Sequence, residues 1–178
     1  MSANLSLLDG NFSTKVNSLI TNCVARGIEM RPYVSIRTPV EQAIAWRQSR
    51  SIEEVTAKIK EFQNSAAPFL AHCLESVGPQ HGDHVTNAPP GLSWHQWGEA
   101  VDCFWLVNNK AEWSSQKTIN GLNGYRVYAE EAAKLDLDPG GLWRTLKDWP
   151  HVQFQKAASP LKLYSLADIS KRMESNFG

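Results

Sequence analysis

The chain has five histidines, and two of them sit among residues that could do chemistry. His95 lies in Ser93-Trp94-His95-Gln96-Trp97-Gly98-Glu99-Ala100-Val101-Asp102, so seven residues later a carboxylate falls inside an apolar run, between Val101 and Cys103. An ionised Asp buried without compensation costs several kcal/mol, and a cation or a metal is the usual compensation. Gly98 lets the chain turn so that His95 can fold back toward Asp102. His151 is the second case, in Asp148-Trp149-Pro150-His151-Val152-Gln153, where it opens a short apolar segment after a bend fixed by Pro150. Two imidazoles and one carboxylate make a three-ligand set for Zn²⁺, which takes such atoms at ~2.0–2.2 Å and in reactive sites keeps a fourth position open. Asp148, three residues before His151, could accept a proton from a water that zinc brings to a pKa of roughly 7.

Plainer readings of the same residues stand beside this one. Asp102 could pair instead with Arg126 or Arg144. His72, among Phe69, Leu70 and Leu74, reads as structural; His81 and His84 read as solvated loop residues, with His84 the best substitute ligand. Trp94, Trp97, Trp105, Trp143 and Trp149 crowd the same stretch; core packing explains them all, and a groove wall is the sharper reading for Trp94, Trp97 and Trp149. From Glu61 through Asn109 there is no Lys or Arg, while Glu61, Glu75, Asp83, Glu99 and Asp102 are acidic, a local field that would welcome a cation.

These side chains need elements to hold them. Phe12, Val16, Leu19, Ile20 and Cys23 recur at helical spacing before Gly27, which predicts a helix over Ser13 to Arg26. Tyr33 to Ile36 alternates in polarity after Pro32 and predicts a short strand. Thr38-Pro39-Val40-Glu41 opens a helix as a capping box with Pro in its first turn, placing Arg37 at a strand-to-helix junction. Ser51-Ile52-Glu53-Glu54 has the same form and starts a helical stretch to about Val77, bent or broken before Pro68. Gly82, Asn87, Pro89, Pro90 and Gly91 mark an irregular loop. Ala100 to Val107 predicts a buried strand, Tyr125 to Leu135 a helix, Asp138 to Gly141 a turn, His151 to Phe154 a short strand, and Ser165 to Glu174 a closing helix. With no regular strand–helix alternation, the pattern favours an α+β fold: a single domain over 1–178 with a small antiparallel sheet and flanking helices.

Composition bounds the partners. At 178 residues, with 42% hydrophobic residues and seven Trp, the chain has the length and apolar content of one folded domain with its own core. Eighteen basic and eighteen acidic residues cancel, so no footprint for nucleic acid or an anionic membrane is expected. Three cysteines without short paired spacing predict separate buried thiols. No window approaches the ~20 apolar residues of a membrane span, and no basic cluster precedes an apolar run near Met1; the expectation is synthesis in the cytoplasm without a signal peptide.

Ser93-x-His95-x-x-Gly98-x-Ala100-x-Asp102 followed by Asp148-x-x-His151 resembles the zinc peptidases of the D-alanyl-D-alanine carboxypeptidase family (VanY-like), and most closely its branch of phage endolysins that are L-alanyl-D-glutamate endopeptidases. Further upstream, Arg37-Thr38-Pro39-Val40-Glu41-Gln42 and the later Ser49-Arg50 resemble that branch's Arg-Thr-x-x-x-Gln helix and its closing Gly-Arg. Val85 to Ala88 with Pro90-Gly91 resembles the loop leading into the first ligand motif. The resemblance spans about 34–154 and implies a hedgehog/DD-peptidase-like fold. It implies zinc held by His95, Asp102 and His151, Asp148 as general base, and Arg37 on the scissile carbonyl. Gln42, Ser93, Trp94 and Trp149 are candidate substrate contacts. Ser49 departs from the usual Gly, which puts the turn before Arg50 in question.

The activity the resemblance implies is zinc-dependent hydrolysis of an amide bond in the stem peptide of bacterial peptidoglycan, by a monomer that reaches the cell wall through a membrane pore. Two rivals remain: a D,D-carboxypeptidase or dipeptidase acting at the D-alanine end, and a catalytically silent module that binds zinc or the cell wall. Retention of both Asp148 and Arg37 argues against silence.

Overall fold

The computed structural model describes residues 3–178 and has an α+β fold: six α-helices and one five-stranded antiparallel sheet. The chain divides into two compact units, the first running up to Ile36 and then over Trp97–Lys156, the second made of Arg37–Gln96 and Ala157–Gly178. Among the described residues, no helix is long and apolar enough to cross a membrane. Cys23, Cys73 and Cys103 are all free and buried, as their spacing implied.

The first unit carries the sheet. Helix α1 (Gly10–Ala25) begins three residues earlier than the apolar spacing indicated, because the Asp9 carboxylate accepts from the backbone N–H groups of Asn11 and Phe12 and caps it there. Its inner face buries Phe12, Val16, Leu19 and Cys23. Strand β1 (Met30–Val34) lies upstream of the Tyr33 to Ile36 segment expected from alternation: Met30 to Pro32 already pair with β2 (Ala100–Val107), and a bulge separates Pro32 from Val34. Strand β3 (Lys110–Glu112) returns from β2 through Asn108 and Asn109, both at positive φ, the left-handed conformation that Asn tolerates better than most residues. The sequence pattern does not indicate that hairpin, since Lys110, Ala111 and Glu112, none of them buried, carry no alternation to detect.

Helix α5 (Gly124–Lys134) starts on Asn123, whose side chain accepts from the Arg126 N–H. It packs so close to β2 that a methyl on Gly124 would come within 2.4 Å of the Trp105 ring. Asp138–Gly141 is more than a turn. Asp138–Pro139 forms β4 against β5 (His151–Gln153), and Gly140–Leu142 continues as a 3-10 turn. The core of this unit joins α1, β1, β2, α5 and β5 through residues such as Phe12, Met30, Val101, Tyr128 and Val152.

The second unit is helical: α2 (Pro39–Arg47), α3 (Ile52–Asn64), α4 (Pro68–Glu75) and α6 (Leu166–Phe177). Both expected capping boxes form, with Thr38 and Glu41 at α2 and Ser51 and Glu54 at α3. The helical stretch breaks between Asn64 and Pro68, where proline cannot continue α3. His72, read from sequence as structural, is exposed; Leu70, Ala71, Cys73 and Leu74 take the buried face of α4. Ser49 adopts φ 64°, the conformation a glycine would hold, so the turn before Arg50 survives the substitution.

Candidate metal centre

Asp102 and His151 meet because of strand register. Antiparallel pairing of β2 with β5 sets Ala100 opposite Gln153, Val101 opposite Val152, and Asp102 opposite His151. Directly opposed residues of an antiparallel pair carry their side chains on one face with Cβ atoms ~4.5–5.5 Å apart. The result is a contact of 3.0 Å between His151 Nδ1 and Asp102 Oδ1. Only 10% of the His151 side chain and 13% of the Asp102 side chain is exposed.

The neighbours of His151 assign its tautomer. Gln153 Nε2 donates to the Gln155 carbonyl at 2.7 Å and to Asp138 Oδ2 at 3.3 Å, which turns Gln153 Oε1, an acceptor, toward His151 Nε2 at 3.1 Å. Nε2 must therefore carry a hydrogen, and the Nδ1 lone pair faces Asp102 in the neutral ring. This is the state a metal ligand requires, with the second ring nitrogen fixed by a hydrogen bond. Burial pulls the His151 pKa down, but the hydrogen bond that the protonated ring donates to Asp102 and the charges of Asp102 and Asp148 outweigh it and leave the pKa raised. That proton and a metal would compete for one lone pair.

His95 sits on the 3-10 turn Trp94–Trp97, which leads through Gly98 and Glu99 into β2. Gly98 has φ 70°, and its position is tight enough that a Cβ would lie 3.1 Å from the Asp9 backbone nitrogen. His95 is 4% exposed. His95, Asp102 and His151 each offer one ligand atom, all within 4.8 Å of one another. Two ligands at ~2.0–2.1 Å on one tetrahedral ion lie roughly 3.3 Å apart, so the 3.0 Å between Asp102 and His151 needs little adjustment. Two imidazoles, one of fixed tautomer, and a carboxylate fit a divalent zinc-like ion with one position left over. Across the strand pair Asp102 faces His151. His84, the substitute ligand considered from sequence, is exposed, with Nε2 3.0 Å from Asn87 Oδ1, and lies outside the group.

Asp148 is exposed and immediately precedes the turn into β5, where its carbonyl accepts from the His151 N–H at 3.2 Å. Gly140 and Gly141, which read as part of a simple turn in the sequence, make its seat. A methyl on Gly140 would lie 2.3 Å from the Asp148 carbonyl oxygen, and one on Gly141 would lie 2.5 Å from the Trp149 ring. The Asp148 N–H donates to the Gly140 carbonyl at 3.1 Å, closing the cradle. The Gly-Gly pair before the Asp-x-x-His motif was the available signal.

In the second unit, Arg37 Nη1 donates to Gln42 Oε1 at 3.0 Å, and the Arg37 N–H points to the His95 carbonyl at 3.4 Å. Gln42, read from sequence as a substrate contact, is fully buried with its amide occupied: Oε1 accepts also from Gln96 Nε2 at 3.0 Å, and Nε2 donates to the Ala88 carbonyl at 2.6 Å. Gln96 Oε1 in turn accepts from the Gly91 N–H at 2.5 Å. Arg50 holds the same loop by donating to the Thr86 carbonyl at 2.9 Å, its guanidinium 4.2 Å from the Trp46 ring centroid. Trp94 is buried as well, its indole N–H donating to the Ala157 carbonyl at 2.7 Å, and Trp97 is 8% exposed. Both serve as packing, not as groove walls. Ser93 and Trp149 remain partly exposed.

Residues 86–154 match the family model described as D-alanyl-D-alanine carboxypeptidase, a stretch that includes His95, Asp102, Asp148 and His151 and stops short of Arg37. No curated protein matches the sequence. Among solved structures, the crystal structure of the Serratia marcescens L-Ala D-Glu endopeptidase ChiX is similar at 17% identity and a TM-score of 0.45, over 85% of this chain and 84% of that one.

Proposed function

We propose, on the premise that residues 86–154 carry the pattern of the D-alanyl-D-alanine carboxypeptidase family, that this chain is a zinc peptidase hydrolysing the L-alanyl-D-glutamate bond of peptidoglycan, its two units serving one peptidase domain. The observation that carries the reading is the convergence of His95, Asp102 and His151 within 4.8 Å inside the matched stretch. When bound, zinc supplies Lewis acidity at the amide carbonyl and lowers the pKa of a water to about 7. His95, Asp102 and His151 hold the ion. Asp148, exposed beside the His151 backbone, takes the proton of the attacking water and delivers it to the leaving amine. Arg37, held by Gln42, donates to the oxygen on which charge develops. The C–N bond breaks to give a new carboxylate and a new amine. The choice of bond is supported by the Arg37-Thr38-x-x-x-Gln42 pattern with an Asp at position 148, which resembles the endopeptidase branch.

The description of the matched family favours a second reading, release of terminal D-alanine. Mass spectrometry of muropeptides after digestion separates the two. New D-glutamate amines with free L-alanine carboxyl groups are expected, whereas released D-alanine would replace the first reading by the second. In parallel, His95→Ala and His151→Ala should lower zinc content from one per chain; an unchanged stoichiometry would remove that residue from the ligand set.

A further inference from the structure

Strand β2 presents two different faces. Val101, Cys103 and Trp105 point into the core, and Asp102 and Phe104 point out on the other side. Phe104 thus stands two residues, roughly 6.8 Å, along the strand from Asp102 on the same face. Two more rings join it there. The bulge between Pro32 and Val34 turns Tyr33 to within 6.2 Å of the Phe104 centroid, and Trp113, just past β3, lies 6.0 Å from Phe104 and 5.3 Å from Tyr33. The rings are tilted by 46–88° and not stacked face to face. Trp113 is 54% exposed and Tyr33 37%. Large aromatics exposed together on the strand face that carries Asp102 offer a small apolar surface to a ligand.

Its size and rim identify the occupant. The exposed ring area is on the order of 200–300 Å², well below the ~800 Å² each partner contributes to a stable protein interface. It suits one or two sugar rings, whose C–H faces are weakly positive and pack on the negative faces of aromatics. Charged pairs flank the rings, Arg31 with Glu29 and Lys117 with Glu112, and could meet the hydroxyl and amide edge of such a ligand. We infer that Tyr33, Phe104 and Trp113 form a platform for the N-acetylated hexosamine to which the stem peptide is attached, on the same sheet face as Asp102. This rests on the reading of the substrate as peptidoglycan.

The test uses the zinc-loaded full chain and two substrates of the same peptide sequence, a disaccharide-bearing muropeptide and the sugar-free stem peptide. Trp113→Ala and Tyr33→Ala should raise KM for the muropeptide roughly tenfold, leave kcat unchanged, and leave the sugar-free peptide's kinetics unaltered. Equal losses on both substrates, or no loss on either, would overturn the platform. Independently of activity, the peptide-free disaccharide of N-acetylglucosamine and N-acetylmuramic acid should perturb the Trp113 indole signal in NMR titrations, and Trp113→Ala should abolish binding. An absent response sinks the inference even if the peptidase reading holds. Cleavage of neither substrate sinks the peptidase reading and leaves the titration to decide the platform. A concentration-dependent dimer dissolved by Trp113→Ala would assign the rings to a second copy and overturn it too.

Discussion

The two units place their candidate functional side chains by different means. In the first, Asp102 and His151 are cross-strand partners fixed by backbone register, and Asp148 rests in a cradle of glycine backbone. In the second, Arg37 and the backbone around His95 are tied through side-chain amides, Gln42 joining Arg37, Gln96 and the Ala88 carbonyl. Register is shared over many ladder hydrogen bonds, so no single side chain decides it. An amide network has no such redundancy; removing its hub takes a partner from buried Gln96 and from the half-buried Arg37 and Ala88 carbonyl at once.

The sharpest contrast lies between chemistry and scaffold. Asp148→Ala should reduce turnover by about 10²–10⁴-fold with zinc content unchanged by atomic absorption, since its seat is made of main chain and glycine. Activity near the native rate would remove Asp148 as the base. Gln42→Leu tests the other unit. It should cost about 3 kcal/mol in urea unfolding, because Arg37, Gln96 and the Ala88 carbonyl all lose a buried partner, and kcat should fall with it. A loss under 1 kcal/mol would show that the second unit is as redundant as the first. Gln153→Ala sharpens the comparison from the sheet side: it frees the His151 tautomer without touching register, so zinc affinity should weaken about 10–100-fold by chelator competition while the melting temperature moves little. A large melting shift would mean that side chains hold the first unit together as well.

Much of this was legible in the chain. The Ser93 to Asp102 and Asp148 to His151 spacings carry the candidate ligands because both lie at strand ends, where apolar runs are interrupted by groups that need partners. The two capping boxes announce α2 and α3 by local hydrogen bonding alone. What sequence reasoning missed depends on tertiary contact. Gln42 reads as a candidate substrate contact, and only the approach of the Ala88 loop and Gln96 makes it a buried hub. Trp94 and Trp97 read as possible groove walls, yet packing claims both. Strand β1 begins at Met30 because β2 pairs with it there, whatever the local alternation of Tyr33 to Ile36.

The smallest expected effect lies where the first unit does depend on charge. Glu131 on α5 accepts from Lys134 at 2.7 Å and from Arg26, at the end of α1, at 2.9 Å. The Lys134 hydrogen bond first, and the Arg26 pairing with it, hold the Glu131 carboxyl below the ordinary carboxylate range against the opposing effect of burial. A carboxylate whose pKa is depressed on folding stabilises the fold above its unfolded pKa, and the contribution fades as pH falls through its folded value. Glu131→Gln should therefore destabilise by about 1 kcal/mol or less at pH 7, with the difference from the native chain shrinking toward zero by pH 3. Paired urea titrations at the two pH values measure it. A difference that persists in acid would mean that Glu131 acts by packing, and that the joint between α1 and α5 is held without charge, like the strand register beside it.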